Sequence, residues 1–295
     1  MAAAAGARIL LWDDLDFPQS LRRIPDCPPV LYVQGCIDEA PAAAVVGSRR
    51  PSHYGRRIAF QLGRDLAARG AAVVSGLARG IDAEAHRGAL ATGGRTWAVL
   101  GSGLGAVYPP EHEPLGRDIL ESGGALLSEF PMRAGGQRHH FPLRNRIISG
   151  LAFSVVVVEG RRASGSRLTA EFALKQGKDV CAVPGPVDSP LSEATFDLLR
   201  DGARPVCSAE DVLNVLKEEE RAVLKAAGPK PGPRPSLSLE HQIILKSIGS
   251  GSPTLDSMAL DTGLRIPDLS HRLFEMELLG LVKPLPGGRY GKKDH

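Results

Sequence analysis

Six short apolar runs, each of strand length, alternate with stretches of helical periodicity between residues 42 and 216. These runs are Ala43–Val46, Ala71–Ser75, Thr96–Leu100, Ala125–Ser128, Phe153–Glu159 and Asp179–Val183. The clearest helices between them, Arg56–Arg69 and Arg79–Thr92, carry apolar residues three and four positions apart. Repeated strand–helix units pack through right-handed crossovers. We therefore predict an α/β domain in a Rossmann-like layout, with a parallel sheet covered on both faces.

The rest of the chain divides into three further segments. Residues 1–41 are a proline-containing lead segment in which Val30–Val33 is a predicted strand, and residues 42–221 are the Rossmann-like domain. Residues 222–236 are predicted to be a linker without regular structure, because proline and glycine alternate there. Residues 237–295 are predicted to be a small winged-helix domain. Its helices are 239–248, 254–262 and 267–279, its turn is at Gly263, and its strand and wing span 282–290.

Charge and cysteine content limit the class of protein. A net charge of +3 over 295 residues does not identify a nucleic-acid-binding protein. Residues 133–167, however, hold seven arginines and one acid, Glu159. This is typical of a phosphate-binding face, although a solvated basic loop has the same composition.

Four scattered cysteines argue against a disulfide framework and structural zinc. Without a signal peptide or a long apolar run, we expect a cytoplasmic protein with no membrane insertion.

The segment Phe141–Leu151 concentrates planar polar side chains immediately before the buried run Val155–Val158. We interpret it as the approach to a core strand, which places these side chains at a strand end, where α/β folds hold ligands. Arginine forks suit phosphates and an aromatic face stacks on a base. The segment therefore predicts a nucleic-acid or nucleotide partner, with contacts from Phe141, Arg144, Asn145 and Arg146.

Three turns have the features of anion sites at helix N-termini. The predicted contacts are Gly47, Ser48 and Arg49 in the first turn, Ser75, Gly76, Arg79 and Gly80 in the second, and Ser164, Gly165 and Ser166 in the third. In the first turn, a structural βα turn with a surface arginine is the alternative. In the second, we interpret Asp82 as holding the loop, because an acid near a helix start caps it. One nucleotide needs one such turn, so three turns favour an extended anionic ligand.

Other chemistries are poorly supported. The run Gly101–Gly105 has GxGxG spacing after the third strand, which does not fit a dinucleotide fingerprint, and no P-loop or hydrolase triad occurs. His86 lies on the face of Asp82 and is either a catalytic base or, as we favour, a helix-surface or capping residue. His139 and His140 lack the neighbours of a metal site. We therefore expect no catalytic residue, metal or cofactor.

Several motifs, in this order, resemble the DprA (Smf) family of DNA-processing proteins of bacterial natural transformation. They are Val45–Arg49, Ser75–Asp82 with Ala85–His86 and Gly88–Leu90, Ala98–Gly101 with Tyr108–Pro109, Phe141–Ile148, Val155–Glu159, Ser164–Ser166 with Thr169–Ala170, and Val183–Gly185. The resemblance covers nearly the whole chain. Two positions depart from the family pattern: Phe196 stands where asparagine is usual and Arg167 where an apolar residue is usual.

The resemblance implies a protein that is not an enzyme. It implies binding and protection of incoming single-stranded DNA, loading of a RecA-type recombinase, and a homodimer formed through the Rossmann-like domain. By motif, the DNA pocket contains Arg49, the Ser75–Gly80 turn, Phe141 and Arg144–Arg146, and Arg138 lies in a basic approach to the same groove.

Two other functions are considered. Gly165–Glu171 is similar to the catalytic loop of nucleotide phosphoribohydrolases, but it lacks paired glycines and contains Arg167. A transcription regulator would use the winged helix, whose predicted recognition helix 267–277 carries three acids and one arginine and would be repelled by duplex phosphate. We expect this domain to make protein contacts or to have an accessory role.

Overall fold

The computed structural model describes residues 6–216, 218–227, 239–249, 251–278 and 281–292. The chain divides into two compact units between residues 234 and 235. None of the described helices is long and apolar enough to cross a lipid bilayer.

A nine-stranded sheet organises the first unit. Its strands are β1 Ala7–Leu11, β2 Val30–Gly35, β3 Ala42–Val46, β4 Ala72–Ser75, β5 Thr96–Val99, β6 Ala125–Ser128, β7 Ser154–Val157, β8 Asp179–Ala182 and β9 Arg204–Pro205. Their order is β1-β2-β6-β5-β4-β3-β7-β8-β9. The six predicted strands are confirmed. The sheet is mixed, however, because β1 and β2 from the lead segment run antiparallel to their neighbours at one edge.

Helices cover both faces of this sheet. They are α1 Gln19–Arg22, α2 His53–Ala68, α3 Ile81–Leu90, α4 Glu113–Glu121, α5 His140–Leu151, α6 Gly165–Lys175, α7 Glu193–Arg200, α8 Ala209–Leu213 and α9 Glu218–Ala227. One core packs α1, α5 and α6 against side chains such as Ala44 and Val155. Another packs α2, α3 and α8 against the alternate side chains, such as Val45 and Val156. Every residue of β3 and β7 is buried, as expected for strands with two covered faces.

The strand order reverses between β3 and β7. From β3 the chain adds β4, β5 and β6 on one side, and then returns to place β7, β8 and β9 on the other. The connections leaving the carboxyl ends of β3 and β7 therefore diverge to opposite sides of the sheet. Ligands of open α/β sheets bind in the crevice at such a switch point.

Two sequence-based assignments are wrong. The segment Phe141–Leu151 belongs to helix α5, and β7 begins only at Ser154. Its apolar positions Ile147, Ile148 and Leu151 follow a helical spacing that its polar residues obscured. The start of the predicted linker, residues 222–227, is the end of α9, because alanine, valine, leucine and lysine precede the first proline. Residues 228–236 lie outside the described part of the chain.

The second unit contains three helices and a hairpin. They are α10 Leu239–Ile248, α11 Leu255–Thr262, α12 Ile266–Leu278 and the antiparallel strands β10 Val282–Leu285 and β11 Arg289–Lys292. Gly263 ends α11 in the left-handed conformation, with φ of 70°. Ile244, Met258, Leu273 and Val282 are among the residues of a separate buried core. The predicted winged-helix outline is confirmed.

Candidate nucleic-acid interface

An open cleft of about 1140 Å³ lies at the switch point, beyond the carboxyl ends of β3 and β7. Its walls come from the loop after β3, the start of α5 and the loop from β7 into α6. The lining includes Gly47, Ser48, Arg49, Arg138, Phe141, Arg144, Asn145, Ser164, Gly165 and Ser166. Ten of the fifteen predicted site residues therefore meet in one cleft, although they come from distant parts of the sequence.

Positive charge dominates the cleft. Five arginines line it, Arg49, Arg50, Arg138, Arg144 and Arg161, together with one carboxylate, that of Asp82. Neighbouring arginines outside the cleft are paired: Arg162 and Arg167 contact Asp197 at 3.0 and 3.4 Å. Within the described residues, Arg49, Arg50, Arg138 and Arg161 have no carboxylate within 4.0 Å. The cleft therefore carries uncompensated charge suited to several phosphates.

The turn after β3 is tightly built against the start of α3. A Cβ atom on Gly47 would lie 2.7 Å from the Ile81 side chain, so this position requires glycine. The Ser48 carbonyl accepts the Ile81 N–H at 3.1 Å, and the Ser48 hydroxyl accepts the Arg50 N–H at 3.1 Å. These bonds fix the backbone from which Arg49 and Arg50 extend into the cleft.

The N-terminus of α2 is already occupied by an internal carboxylate. Ser52 donates its backbone N–H to Glu159 Oε2 at 2.9 Å and its hydroxyl to Oε1 at 2.5 Å. The prediction that this helix start receives an external anion is therefore corrected, because the carboxylate of Glu159 occupies it. Ser48 and Arg49 line the cleft from the loop that precedes the helix.

The turn after β4 differs from the prediction in a similar way. Ser75 is fully buried and donates its hydroxyl to the Val45 carbonyl at 2.6 Å. Arg79 points to Glu111 at 2.5 Å and does not line the cleft. Gly80 has φ of 79° and packs against the Ser48 carbonyl, 2.4 Å from where a Cβ would stand. Ser75 and Gly80 are thus structural residues, because strand pairing uses the Ser75 hydroxyl and loop packing fills the space beside Gly80, whereas Arg79 forms an exposed ion pair with Glu111.

Asp82 and Arg144 are two buried charged groups at the floor of the cleft, and both lie next to Gly76. Asp82 Oδ2 accepts the Gly76 N–H at 3.1 Å, which confirms that this carboxylate holds the loop. Arg144 Nη1 donates to the carbonyls of Gly76 and Val99 and so joins the ends of β4 and β5. Burial raises the pKa of Asp82, and the charge of Arg144 and the N–H groups of Ala78 and Gly76 oppose that rise. Burial lowers the pKa of Arg144 to about 10, against the opposing charge of Asp82.

Gly76 is required by these two groups rather than by a ligand. A Cβ atom there would lie 2.6 Å from both Arg144 Nη2 and Asp82 Oδ2. The predicted contact of Gly76 with a phosphate is therefore corrected. Glycine is needed at this position because the two buried charged groups occupy the volume that a side chain would fill.

Phe141 and Asn145 build the wall formed by α5. Phe141 is partly exposed, with the Arg49 guanidinium 5.2 Å from its ring centroid and the Tyr108 ring tilted at 5.4 Å. Asn145 Nδ2 donates to the Gly165 carbonyl at 3.1 Å and so ties α5 to the start of α6. The aromatic and cationic surfaces together can stack on a planar base.

Arg146 does not reach the cleft. Its guanidinium makes a bidentate contact with Glu129, both distances 2.6 Å, and Nε donates to the Asp26 carbonyl at 2.8 Å. The predicted DNA contact of Arg146 is corrected, since consecutive residues of a helix point about 100° apart and cannot all face one cleft.

The start of α6 faces the cleft without an internal anion. The Ser164 and Ser166 hydroxyls lie 2.8 Å apart, and no atom lies within 4 Å of where a Cβ of Gly165 would stand. Arg161 lies on the same loop. Among the three predicted turns, this one retains the geometry of an open anion site.

The cleft-lining residues that were absent from the predicted site include Arg50, Tyr108 and Arg161. Arg50 follows Arg49 in the same turn, and Arg161 is one of the seven clustered arginines, so both carried a signal in the sequence. Tyr108 comes from a loop that spacing alone does not bring near Phe141.

The histidines and Glu171 give no support to catalysis. His86 is buried within the domain, not on a helix surface as favoured from the sequence, and its Nδ1 lies 2.7 Å from the Thr96 hydroxyl. No cluster of potential metal ligands occurs among the described residues. Glu171 is paired with Arg167 at 3.4 Å and lies outside the cleft lining, so the carboxylate on which the hydrolase-like alternative depends does not face the cleft.

The second unit shows no comparable basic surface on its third helix. Arg272, the one arginine in the predicted recognition helix, contacts Glu240 at 2.6 Å and Glu275 at 3.0 Å. Its charge is thereby compensated, so the one arginine of this predicted recognition helix is not free to contact a phosphate.

Comparison with protein families gives two matches. The family model of DNA recombination-mediator protein A matches residues 8–217, and that of the DprA winged helix domain matches residues 228–288. Protein Smf of Escherichia coli (strain K12) is 39% identical over 276 residues, which cover 92% of this chain and 74% of that protein. DNA processing protein DprA of Bacillus subtilis (strain 168) is 39% identical over 205 residues, 68% of this chain and 69% of that protein.

Solved structures show the same likeness. DNA processing protein A of Streptococcus pneumoniae has a TM-score of 0.67 at 38% identity, covering 71% of this chain and 74% of that one. DNA processing protein A of Helicobacter pylori, whose structure describes a single-stranded DNA binding mode, has a TM-score of 0.64 at 27% identity. That match covers 75% of this chain and 96% of the other.

Proposed function

Because this chain belongs to the DNA recombination-mediator protein A family, we propose that it binds single-stranded DNA in the arginine-lined cleft. The observation that carries the proposal is the cluster of Arg49, Arg50, Arg138 and Arg161 around Phe141 and the open start of α6. Arginine forks and helical N–H groups bind successive phosphates, and the Phe141 surface stacks on an unpaired base. Duplex DNA hides its base faces and gains only the phosphate contacts.

Fluorescence anisotropy with labelled thymidine oligomers and a matched duplex at two salt concentrations tests the proposal. We expect salt-sensitive binding that favours the single strand. Arg161→Ala should reduce the salt slope by about 0.7, the value for one phosphate contact on a single strand. Arg162→Ala is a matched control, because this neighbouring arginine is exposed and paired with Asp197. Equal affinity for duplex, or equal effects of the two substitutions, would contradict the proposed site.

Phe141 provides a separate test of base stacking. Phe141→Ala should weaken oligomer binding by about 1–3 kcal/mol, the range for loss of one base–aromatic contact. Phe141→Leu retains apolar packing against Gly101, where a Cβ atom would lie 2.5 Å from the ring, but removes the aromatic face. A leucine variant that binds as well as wild type would show that the ring packs rather than stacks.

We further propose that the bound strand is protected and passed to a RecA-type recombinase, and that the working form is a cytoplasmic homodimer joined through the Rossmann-like unit. Family membership supports these steps, and no catalytic chemistry is required for them. Light scattering tests the dimer. Recombinase filament formation on oligomers coated with single-strand-binding protein tests loading, and a protein that fails to accelerate it would lack this role.

A further inference from the structure

Two of the three βα turns predicted to hold phosphates contain carboxylates of the chain itself. At the first, after β3, Glu159 accepts both the N–H and the hydroxyl of Ser52 and is 3% exposed. These donors lie at the N-terminus of α2, the position at which dinucleotide-binding βαβ units hold a phosphate. The carboxylate therefore occupies the place of an anion.

The space around Glu159 is filled as well. A Cβ atom on Gly55 would lie 2.3 Å from Glu159 Oε2, and one on Gly47 would lie 2.9 Å from the Glu159 carbonyl oxygen. In dinucleotide-binding βαβ units, glycines of this turn leave room for a phosphate. Here Gly55 leaves room for the side chain of Glu159, and Gly47 leaves room for its backbone. A phosphate group cannot enter without displacing Glu159.

The second turn repeats this arrangement. Asp82 Oδ2 accepts the Gly76 N–H, and Gly76 again has no room for a Cβ because Asp82 and Arg144 lie 2.6 Å from its position. The third turn, Ser164–Ser166, lines the cleft and has no such carboxylate. The chain thus closes two neighbouring phosphate positions and leaves one open.

We propose that Glu159, supported by Asp82, is a specificity-determining residue that excludes the phosphates of free nucleotides and dinucleotides from the start of α2, beside the cleft. A free nucleoside diphosphate concentrates its charge in adjoining phosphates, and dinucleotide-binding units hold these phosphates at the first βα turn, which Glu159 fills here. A DNA strand spreads its phosphates along a groove, so it can use the separate arginines and the α6 start. The inference rests on the proposed function for its biological meaning, although the filled turns are independent of it.

Titration calorimetry with inorganic pyrophosphate tests the exclusion directly. Glu159→Ala vacates the carboxylate and leaves both donors of Ser52 free. We expect this variant to bind pyrophosphate at least about tenfold more tightly than wild type, the effect of one hydrogen bond to a charged group. Glu210→Ala is the matched control, because Glu210 is an exposed carboxylate paired with Arg69 at 3.7 Å. Equal pyrophosphate affinity in wild type and a folded Glu159→Ala would overturn the proposal.

Glu159→Gln covers the case in which the alanine variant does not fold. The amide keeps the side-chain volume and loses the charge that repels an entering phosphate. Pyrophosphate affinity should then rise by a smaller factor, about threefold, since the charge is removed but the space stays filled. If the alanine variant does not fold, an unchanged pyrophosphate affinity in the glutamine variant would reject the proposal.

Competition separates this inference from the proposed function. ADP should displace a labelled thymidine oligomer from Glu159→Ala at least about tenfold more effectively than from wild type, at matched ionic strength. ADP that competes equally well against both proteins would overturn the exclusion while leaving DNA binding intact. If wild type binds no oligomer, the proposed function fails, and the pyrophosphate titration still decides whether Glu159 excludes phosphates.

Discussion

Arg144, Asn145 and Arg146 are consecutive in α5 and have three different tasks. Arg144 joins two strand ends at the floor of the cleft, Asn145 ties α5 to the start of α6, and Arg146 pairs with Glu129 on another side of the helix. At the residue scale, therefore, an arginine in a basic segment is available to an anionic ligand only if no carboxylate of the fold already compensates its charge.

Arg146→Ala should destabilise the protein without changing how it contacts DNA. The Arg146 and Glu129 side chains are 7% and 12% exposed, so the substitution leaves a carboxylate buried without its partner. We expect the free energy of unfolding in urea to fall by about 3–5 kcal/mol. The exposed pair lost in Arg162→Ala should cost below about 1 kcal/mol. The salt slope of oligomer binding should stay at the wild-type value in folded Arg146→Ala; a reduced slope would return Arg146 to the interface.

His86 should make the protein less stable in acid. Burial lowers its pKa to about 3, with smaller contributions from the charges of His112, Arg144 and Arg87. The unfolded chain binds the proton near pH 6.5 and the folded chain does not. The stability is therefore fully present above that pH and is lost as the pH falls toward 3.

The size of this effect can be isolated by substitution. Between pH 7 and pH 4 the His86 contribution should fall by roughly 3 kcal/mol, from the shift between the folded and unfolded pKa values. Urea unfolding across this range, compared with His86→Gln, gives the difference due to this one group. If the free energies of unfolding of wild type and variant change with pH in parallel, His86 does not take up a proton when the protein unfolds.

At the scale of elements, the crossing of α2 and α3 depends on two glycines. A Cβ atom on Gly63 would lie 2.2 Å from the Ala85 carbonyl oxygen, and one on Gly88 would lie 2.1 Å from that of Phe60. The helix backbones are therefore in direct contact. This contact sets the position of both helix starts, and with them the two turns that hold Glu159 and Asp82.

Gly88→Ala should separate α2 from α3. Because the obstructing atom is backbone, the helices must move apart, and we expect a loss of about 1–3 kcal/mol or more in the free energy of unfolding. Gly116→Ala is a matched substitution of a buried helical glycine whose nearest neighbour would be 3.5 Å away. It should be neutral, or stabilising by up to about 1 kcal/mol, through helix propensity. Similar urea midpoints for the two variants would show that α2 and α3 accommodate the added methyl group at their contact.

At the scale of the whole molecule, the two units have separate cores and different charge. Four arginines without a carboxylate partner among the described residues line the cleft of the first unit, whereas Arg272 of the second is compensated by Glu240 and Glu275. A chain of residues 1–234 should therefore keep its affinity for thymidine oligomers within about threefold of the full chain, a difference below about 1 kcal/mol. Anisotropy with both proteins checks this, and a larger loss would assign the winged-helix unit to the DNA contact.

The sequence by itself determined the element types and the family. Strand runs, helical spacing and turn glycines are local patterns, and they predicted the six sheet strands, the C-terminal helices and ten of the residues that line the cleft. The segment Phe141–Leu151 was the exception, since its density of polar residues concealed a helical apolar face that packs on the sheet.

Only the tertiary structure decided which turns remain open to a ligand. Ser52 and Glu159 are 107 residues apart in sequence, and Arg144 and Gly76 are 68 apart. A sequence pattern shows that a turn can accept an anion, but it does not show whether a distant carboxylate of the same chain already provides one. Parallel strands bring such distant segments to one edge of the sheet, so the pairing of charges there is a property of the fold rather than of any segment.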